Sequence, residues 1–270
     1  MHPIEHLRYV ARARGADPGA LVEETAHALG SLHFDPAGLI VACRRIVERH
    51  PFGGPLWWLC ARVATSAEPF DTVWELADEV RRDRTASELA AALPDDADVV
   101  TIGDPISIRP GLARRGDIRV LALDVDHTAT SFVRALERDD VEYEPVDAGM
   151  AGLACRTADV VLIEALALDA QRIVTPVGSS TIAAAAMSWG RPVWLVAGLG
   201  RRLPVPMIDA MVARYESILE QTEPWSVDVE ILPRTLITHV VGPHGLMPMG
   251  PPAAAPECPM AYELLRPSPM

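Results

Sequence analysis

Five short runs constrain this chain more than anything else in it: residues 99–102, 120–123, 143–146, 160–163 and 193–197. Each is four or five residues long and lacks the strict apolar–polar alternation of a half-exposed strand. Such runs fit strands buried on both faces of a parallel sheet. Helical candidates lie between them, around 108–115, 131–138, 150–156 and 180–189. Alternation of this kind predicts an α/β fold with a doubly wound, mostly parallel sheet of Rossmann-like type. Two more strand-like runs follow at 227–232 and 236–241.

The first hundred residues follow a different period. Leu21, Val22, Ala26 and Leu29 form a stripe at helical spacing, after Asp17 and Pro18 as cap and first turn. A second helix is expected over 36–48, broken by Pro51-Phe-Gly-Gly-Pro55, and further helices over 56–64, 70–82 and 86–93. The adjacent Trp57 and Trp58 read as core or subunit interface rather than as a ligand platform. Three parts are therefore expected: a helical region over 1–95, a Rossmann-like ligand-binding domain over 96–245, and a tail over 246–270. Rich in Pro, Ala and Met, the tail is expected to be extended or partly disordered.

Composition closes several routes. No apolar run approaches the roughly 20 residues of a membrane-spanning helix, and the first fourteen residues lack a signal-peptide core, so a cytoplasmic protein is expected. A net charge of −13 disfavours nucleic acid and anionic membranes as partners. Every basic side chain besides histidine is arginine, which excludes lysine Schiff bases, pyridoxal phosphate and a P-loop lysine. The lysine-free composition is what a GC-rich genome produces, and it reads as bacterial. Cys43, Cys60, Cys155 and Cys258 are far apart, with no C-x-x-C pair, so buried free thiols are expected rather than a zinc cage or disulfides. No metal site and no cofactor are expected.

Ligands of open parallel sheets bind beyond the C-terminal strand ends. Gathered there are Gly103 and Asp104, then Asp124, Asp126 and His127, then Asp147, Glu164, the loop 175–180, and 198–202. Gly178, Ser179 and Ser180 open a helix whose backbone N–H groups and dipole suit a phosphate, although a serine there also caps the helix by itself. Arg201 and Arg202 offer charge-assisted bonds to the same anion, or form an ordinary solvated pair. Asp104 and Glu164 are the acid–base candidates, and burial at a strand end would raise their pKa values.

One motif points elsewhere. Leu121-Ala-Leu-Asp124-Val-Asp126-His-Thr128 matches the apolar strand and D-x-D-x-T of haloacid-dehalogenase-like phosphatases. There the first aspartate attacks phosphorus, the second handles the leaving-group proton, and magnesium bridges both. The motif opens that fold, whereas here a strand and helix precede it. The lysine that steadies the phosphoryl group cannot exist in this chain, and no later Asp-Asp pair follows an apolar strand. Strand-end acids that line a site or cap a helix explain these residues more cheaply.

From 159 to 203 the chain resembles the family containing the alpha, beta and delta subunits of initiation factor two B, methylthioribose-phosphate isomerase and ribose-1,5-bisphosphate isomerase. Asp159-Val-Val-Leu-Ile-Glu164 is similar to the family strand ending in G-A-D. Thr175-Pro-Val-Gly178-Ser179 stands where the family has N-K-I-G-T. The run Ile182 to Val193 resembles the following helix, glycine turn and strand. Val146-Asp147-Ala148 matches V-D-S-A, and Leu232 to Val241 is similar to the closing strand. The resemblance implies a helical N-terminal part, a Rossmann-like part, a phosphorylated ligand and a homodimer. It also exposes departures. The isomerase cysteine has no counterpart in Thr101-Ile-Gly103-Asp104, and the aspartate closing G-A-D falls on Ala165 or Leu166. The expectation is a protein that binds a sugar phosphate or nucleotide without the family's isomerase activity. The alternatives are an isomerase using Asp104 and Glu164, and the phosphatase above; on a bacterial reading, a true translation-factor subunit is the least favoured.

Overall fold

The computed structural model describes residues 18–31, 36–125 and 128–266. Five helices precede the first strand: α1 (Pro18–Gly30), α2 (Pro36–Arg49), α3 (Gly54–Ala64), α4 (Pro69–Arg81) and α5 (Thr85–Ala92). Proline stands in the first turn of α3 and of α4, where its missing N–H costs nothing. Helix α3 is buried along nearly its whole length, as a helix apolar on every side must be. Trp57 and Trp58 both lie in this core, and their indole N–H groups donate to the carbonyls of Pro51 and Glu257. The four cysteines are free and buried. Contact with Cys43 and burial together push the Cys60 thiol well above its ordinary pKa.

The α/β part runs β1 (Asp98–Ile102), α6 (Arg109–Leu112), β2 (Arg119–Asp124), α7 (Thr130–Arg138), β3 (Glu142–Asp147), α8 (Ala151–Thr157) and β4 (Val160–Glu164). It continues with β5 (Ala167–Leu168), β6 (Arg172–Pro176), α9 (Ser179–Ser188), β7 (Val193–Val196), α10 (Val205–Gln221), β8 (Val229–Pro233), β9 (His239–Gly242) and β10 (Gly245–Pro248). Seven strands form the main sheet in the order β10-β9-β7-β4-β1-β2-β3, parallel except for the β9–β10 hairpin. All five sequence-predicted strands are in it. One face buries Val100, Leu121, Val161 and Ile163 with Cys155 and Ile182, from α8 and α9. The other buries Val99, Val120 and Leu162 with Leu89, Leu112 and Phe132, from α5 to α7. From β1 the chain builds outward through β2 and β3, then returns to add β4 on the opposite side. The switch point therefore opens a crevice beyond the C-terminal ends of β1 and β4.

Four expectations need correction. First, β3 is not buried on both faces: Glu142, Glu144 and Pro145 are exposed because it is the sheet edge, where proline and charge are tolerated. Second, the run at 227–232 becomes β8 in a separate antiparallel sheet, ordered β5-β6-β8. This small sheet joins the two cores, with Ile173 in the α/β core and the adjacent Val174 in the helical one. Third, Thr175 and Pro176 belong to β6, so the loop before α9 shrinks to Val177 and Gly178. Fourth, the described part of the stretch after Gly245, up to residue 266, is not an extended tail. It starts as a hairpin strand and then buries Ala253, Ala254, Cys258, Ala261 and Leu264 against both cores.

Candidate functional site

Glu164 ends β4 at the switch point with its side chain buried. One carboxylate oxygen accepts from the Ser107 backbone N–H at 3.0 Å and also from the Ser107 hydroxyl. The buried Arg201 approaches the same oxygen, its Nη2 standing 3.9 Å away, and donates to Ser107 Oγ at 3.1 Å. Its Nε donates to the Ala165 carbonyl at 2.6 Å. Burial raises the Glu164 pKa above its ordinary value against the opposing pull of Arg201 and the Ser107 bonds, while Asp104 pushes it further up. Asp104 is itself raised by burial, with Arg109 pulling the other way. A carboxyl with a raised pKa beside a hydroxyl and a guanidinium can hold or move a proton. Thr101, on β1, leaves its buried hydroxyl without a partner among the described residues.

Arg201 stands between two hollows that separate the helical part from the sheet. The larger, about 620 Å³, is lined by Arg49 and His50 at the end of α2, by Leu166 and Arg201, and by Arg214 and Asp228. The smaller, about 200 Å³, is lined by Asp83, Thr85, Ser107, Gly198 and Arg201. Gly198 permits this approach, since a Cβ there would sit 2.7 Å from the Asp83 carboxylate and 2.9 Å from Arg201 Nη1. Arg49 and Arg214 form no ion pair with a carboxylate among the described residues. Three arginines thus line one hollow together with two acids, Glu48 and Asp228, in a chain that carries a net charge of −13.

The residues singled out in the sequence divide into those that meet here and those held elsewhere. Asp104, Glu164 and Arg201 meet at the crevice. Asp124 accepts from the Ala129 N–H at 3.0 Å ahead of α7, while Asp126 lies outside the described residues. Asp147 is exposed and closes a turn on the Gly149 N–H at 2.7 Å. Gly178 is required where it stands: its φ is +89°, and a Cβ would meet Ile102 at 2.5 Å. Ser179 turns its hydroxyl back to the Pro176 carbonyl. The N–H of Ser180 donates to the Glu230 carboxylate at 2.5 Å, so a protein acid already occupies the start of α9. Arg202 is buried, bonded to the Ala253 carbonyl and paired with Glu257 at 2.8 Å.

Sequence reasoning missed Ser107, Arg49, Arg214, Asp83 and Glu257. Ser107 had one usable signal, its place five residues beyond the end of β1. The others come from helices, from the link between α4 and α5, or from the C-terminal stretch, and only tertiary packing brings them near the strand ends.

No family model matches the sequence, and no curated protein matches it. Solved structures do. Translation initiation factor eIF-2B from Pyrococcus horikoshii OT3 superposes with a TM-score of 0.74 at 15% identity, covering 93% of this chain and 98% of that one. The beta subunit of eIF2B from Chaetomium thermophilum gives 0.67 at 13%, covering 92% and 88%. The 5-methylthioribose 1-phosphate isomerase of Pyrococcus horikoshii OT3 gives 0.61 at 14%, covering 91% and 84%. The likeness extends over both the helical and the α/β parts of the chain.

Proposed function

From a chain with the fold of initiation-factor-2B subunits and of 5-methylthioribose 1-phosphate isomerase, we propose a protein that binds a phosphorylated small molecule, a sugar phosphate or nucleotide. The ligand occupies the hollow between α2, α3 and Arg201. The observation that carries this reading is the convergence of Arg49, Arg201 and Arg214, with His50, in one hollow of an acidic chain. Glu48 and Asp228 share the lining and Arg201 stands 3.9 Å from Glu164, so the cations are partly balanced. Arg49 and Arg214 form no ion pair with a carboxylate among the described residues, and the guanidinium fork matches a phosphate. The volume of about 620 Å³ lies within the usual range for small-molecule sites. The fold neighbour's substrate, a sugar 1-phosphate, is of the same chemical class. In this reading the anchoring charge comes from arginines across the cleft rather than from the start of α9.

The isomerase chemistry of the resembling family is absent from this reading. A glycine at 103 and aliphatic groups at 165 and 166 have no proton to exchange with a sugar carbon. One observation favours a second reading, an aldose–ketose isomerase with replaced acid–base groups: burial raises the pKa of both Glu164 and Asp104 beside the same crevice. The protein is further proposed to act in the cytoplasm as a homodimer. The part up to residue 95 would supply one wall of the cleft and residues 96–245 the other.

Thermal denaturation tests the leading reading. A ligand at 100 times its Kd should add about 2.7 kcal/mol of stability, with ribose 5-phosphate and a nucleoside monophosphate as probes and the unphosphorylated sugar as control. Stabilisation by neither phosphate would remove the reading. Interconversion of an aldose phosphate and a ketose phosphate, abolished in Glu164→Gln, would replace it with the second.

A further inference from the structure

Arg201 sits in the stretch Ala197-Gly-Leu-Gly-Arg201-Arg-Leu203, whose two glycines give it little stiffness of its own; Gly200 has φ of +80°. Two carboxylates from distant parts of the chain grip it. Asp83, between α4 and α5, accepts the Leu199 N–H at 2.8 Å through one oxygen. Its other oxygen accepts the N–H and hydroxyl of Thr85 at 2.8 and 2.6 Å, which fixes its orientation. Glu257, from the C-terminal stretch, accepts the Gly200 N–H at 2.7 Å and the Arg202 N–H at 3.3 Å through one oxygen. Its second oxygen holds the Arg202 guanidinium, and its own N–H donates to the Arg202 carbonyl at 2.9 Å. The backbone is thus tied to carboxylates at 199 and 200 on one side of Arg201 and at 202 on the other. Hydrogen bonds to an ionised acceptor are roughly twice as strong as neutral ones.

We propose that Asp83 and Glu257 are positioning residues for Arg201, holding its guanidinium between Ser107 and the arginine-lined hollow so that it meets a phosphate without reorganising. This rests on the phosphate-binding reading above. A long side chain on a glycine-rich loop would otherwise have to be ordered at the moment of binding, at the expense of affinity. The C-terminal stretch is then part of the binding machinery, because Glu257 also accepts the Trp58 indole N–H on its carbonyl and so ties the loop to α3.

The test uses the full chain, with inorganic phosphate as the probe. Phosphate affinity is measured in the parent, in Asp83→Asn, in Glu257→Gln and in Arg201→Gln, alongside the Arg201 Nε–H signal in ¹⁵N-arginine NMR. Arg201→Gln should abolish binding. Asp83→Asn and Glu257→Gln should each weaken it about tenfold, and the Arg201 Nε–H, bonded to Ala165 in the parent, should exchange faster in both. A purely structural role would lower the melting temperature without moving either readout. Glu257→Gln leaves Arg202 without its charge partner. Asp83→Asn, which keeps that pair, and Glu257→Gln combined with Arg202→Met therefore supply folded alternatives. Phosphate affinity within twofold of the parent and an unmoved Arg201 signal in these variants would overturn the positioning role, while loss of binding in Arg201→Gln would leave the phosphate reading standing. Unimpaired phosphate binding in Arg201→Gln would overturn both.

Discussion

Two stretches, 178–180 and 201–202, read in the sequence as donors to the same anion, and the structure treats them differently. The start of α9 has a left-handed glycine as its cap, two serines and a helix dipole, yet its Ser180 N–H is bonded to Glu230. The loop at 198–202 is followed by α10 after Leu203 and Pro204, and its Arg201, bonded to Ala165 and Ser107, lines a cleft with two further arginines. The difference lies in the neighbours: Arg201 shares its hollow with Arg49 and Arg214, which form no ion pair with a carboxylate among the described residues, and a motif only lists donors. Glu230 lies fifty residues from Ser180, on a strand of another sheet, so nothing local to Gly178-Ser179-Ser180 announces it.

Substitutions can break or sharpen this contrast. The largest effect is expected at Gly178→Ala, which combines a left-handed backbone with a Cβ 2.5 Å from Ile102. A destabilisation of about 3 kcal/mol follows from the two penalties together, measured by urea unfolding. Parent-like stability would mean that the loop is not held as described. Next, Glu230→Ala should cost about 1–2 kcal/mol by leaving the α9 amide without its acceptor. It should also expose that helix start to sulfate or phosphate, so that either anion recovers part of the loss. Stability unresponsive to these anions would show that the start of α9 is unfit for them even when vacated.

A smaller effect concerns pH. The folded pKa of Glu164 is raised above its ordinary 4.5, so the stability it contributes is fully present below about pH 4.5 and is lost as pH rises through the folded value. Glu164→Gln should therefore flatten the fall in stability above that pH, seen in denaturant midpoints from pH 4 to 8. Parallel curves for parent and variant would contradict the burial argument. The smallest effect is expected at Asp147→Asn, an exposed turn acid on β3. It should change stability by no more than about 0.5 kcal/mol and leave phosphate affinity untouched. A marked loss of affinity would bring β3 into the site.

The fold was largely legible because its strands follow the hydrophobic period: 99–102, 120–123, 160–163 and 193–197 sit in the main sheet as read. The legible part of the site was also local. Asp104, Glu164 and Arg201 are at strand ends, and strand ends of a parallel sheet share one edge. What escaped depends on contacts far apart in sequence. Arg202 reads like its neighbour Arg201, but Glu257 and the Ala253 carbonyl claim it. Those partners lie in a stretch whose Pro and Ala content suggested a tail. Thr175 and Pro176 read as loop because the run Arg172 to Pro176 is too mixed to show a period, and only pairing with β8 makes it a strand.

The central claim is that the arginine-lined hollow binds a phosphorylated small molecule. Isothermal titration of ribose 5-phosphate against ribose, in the parent and in an Arg49→Gln/Arg214→Gln double variant, tests it most directly. Binding that requires the phosphate and weakens at least about tenfold in the double variant is the expected result. Equal affinity for ribose and its phosphate, or phosphate-dependent binding indifferent to loss of both arginines, would contradict it.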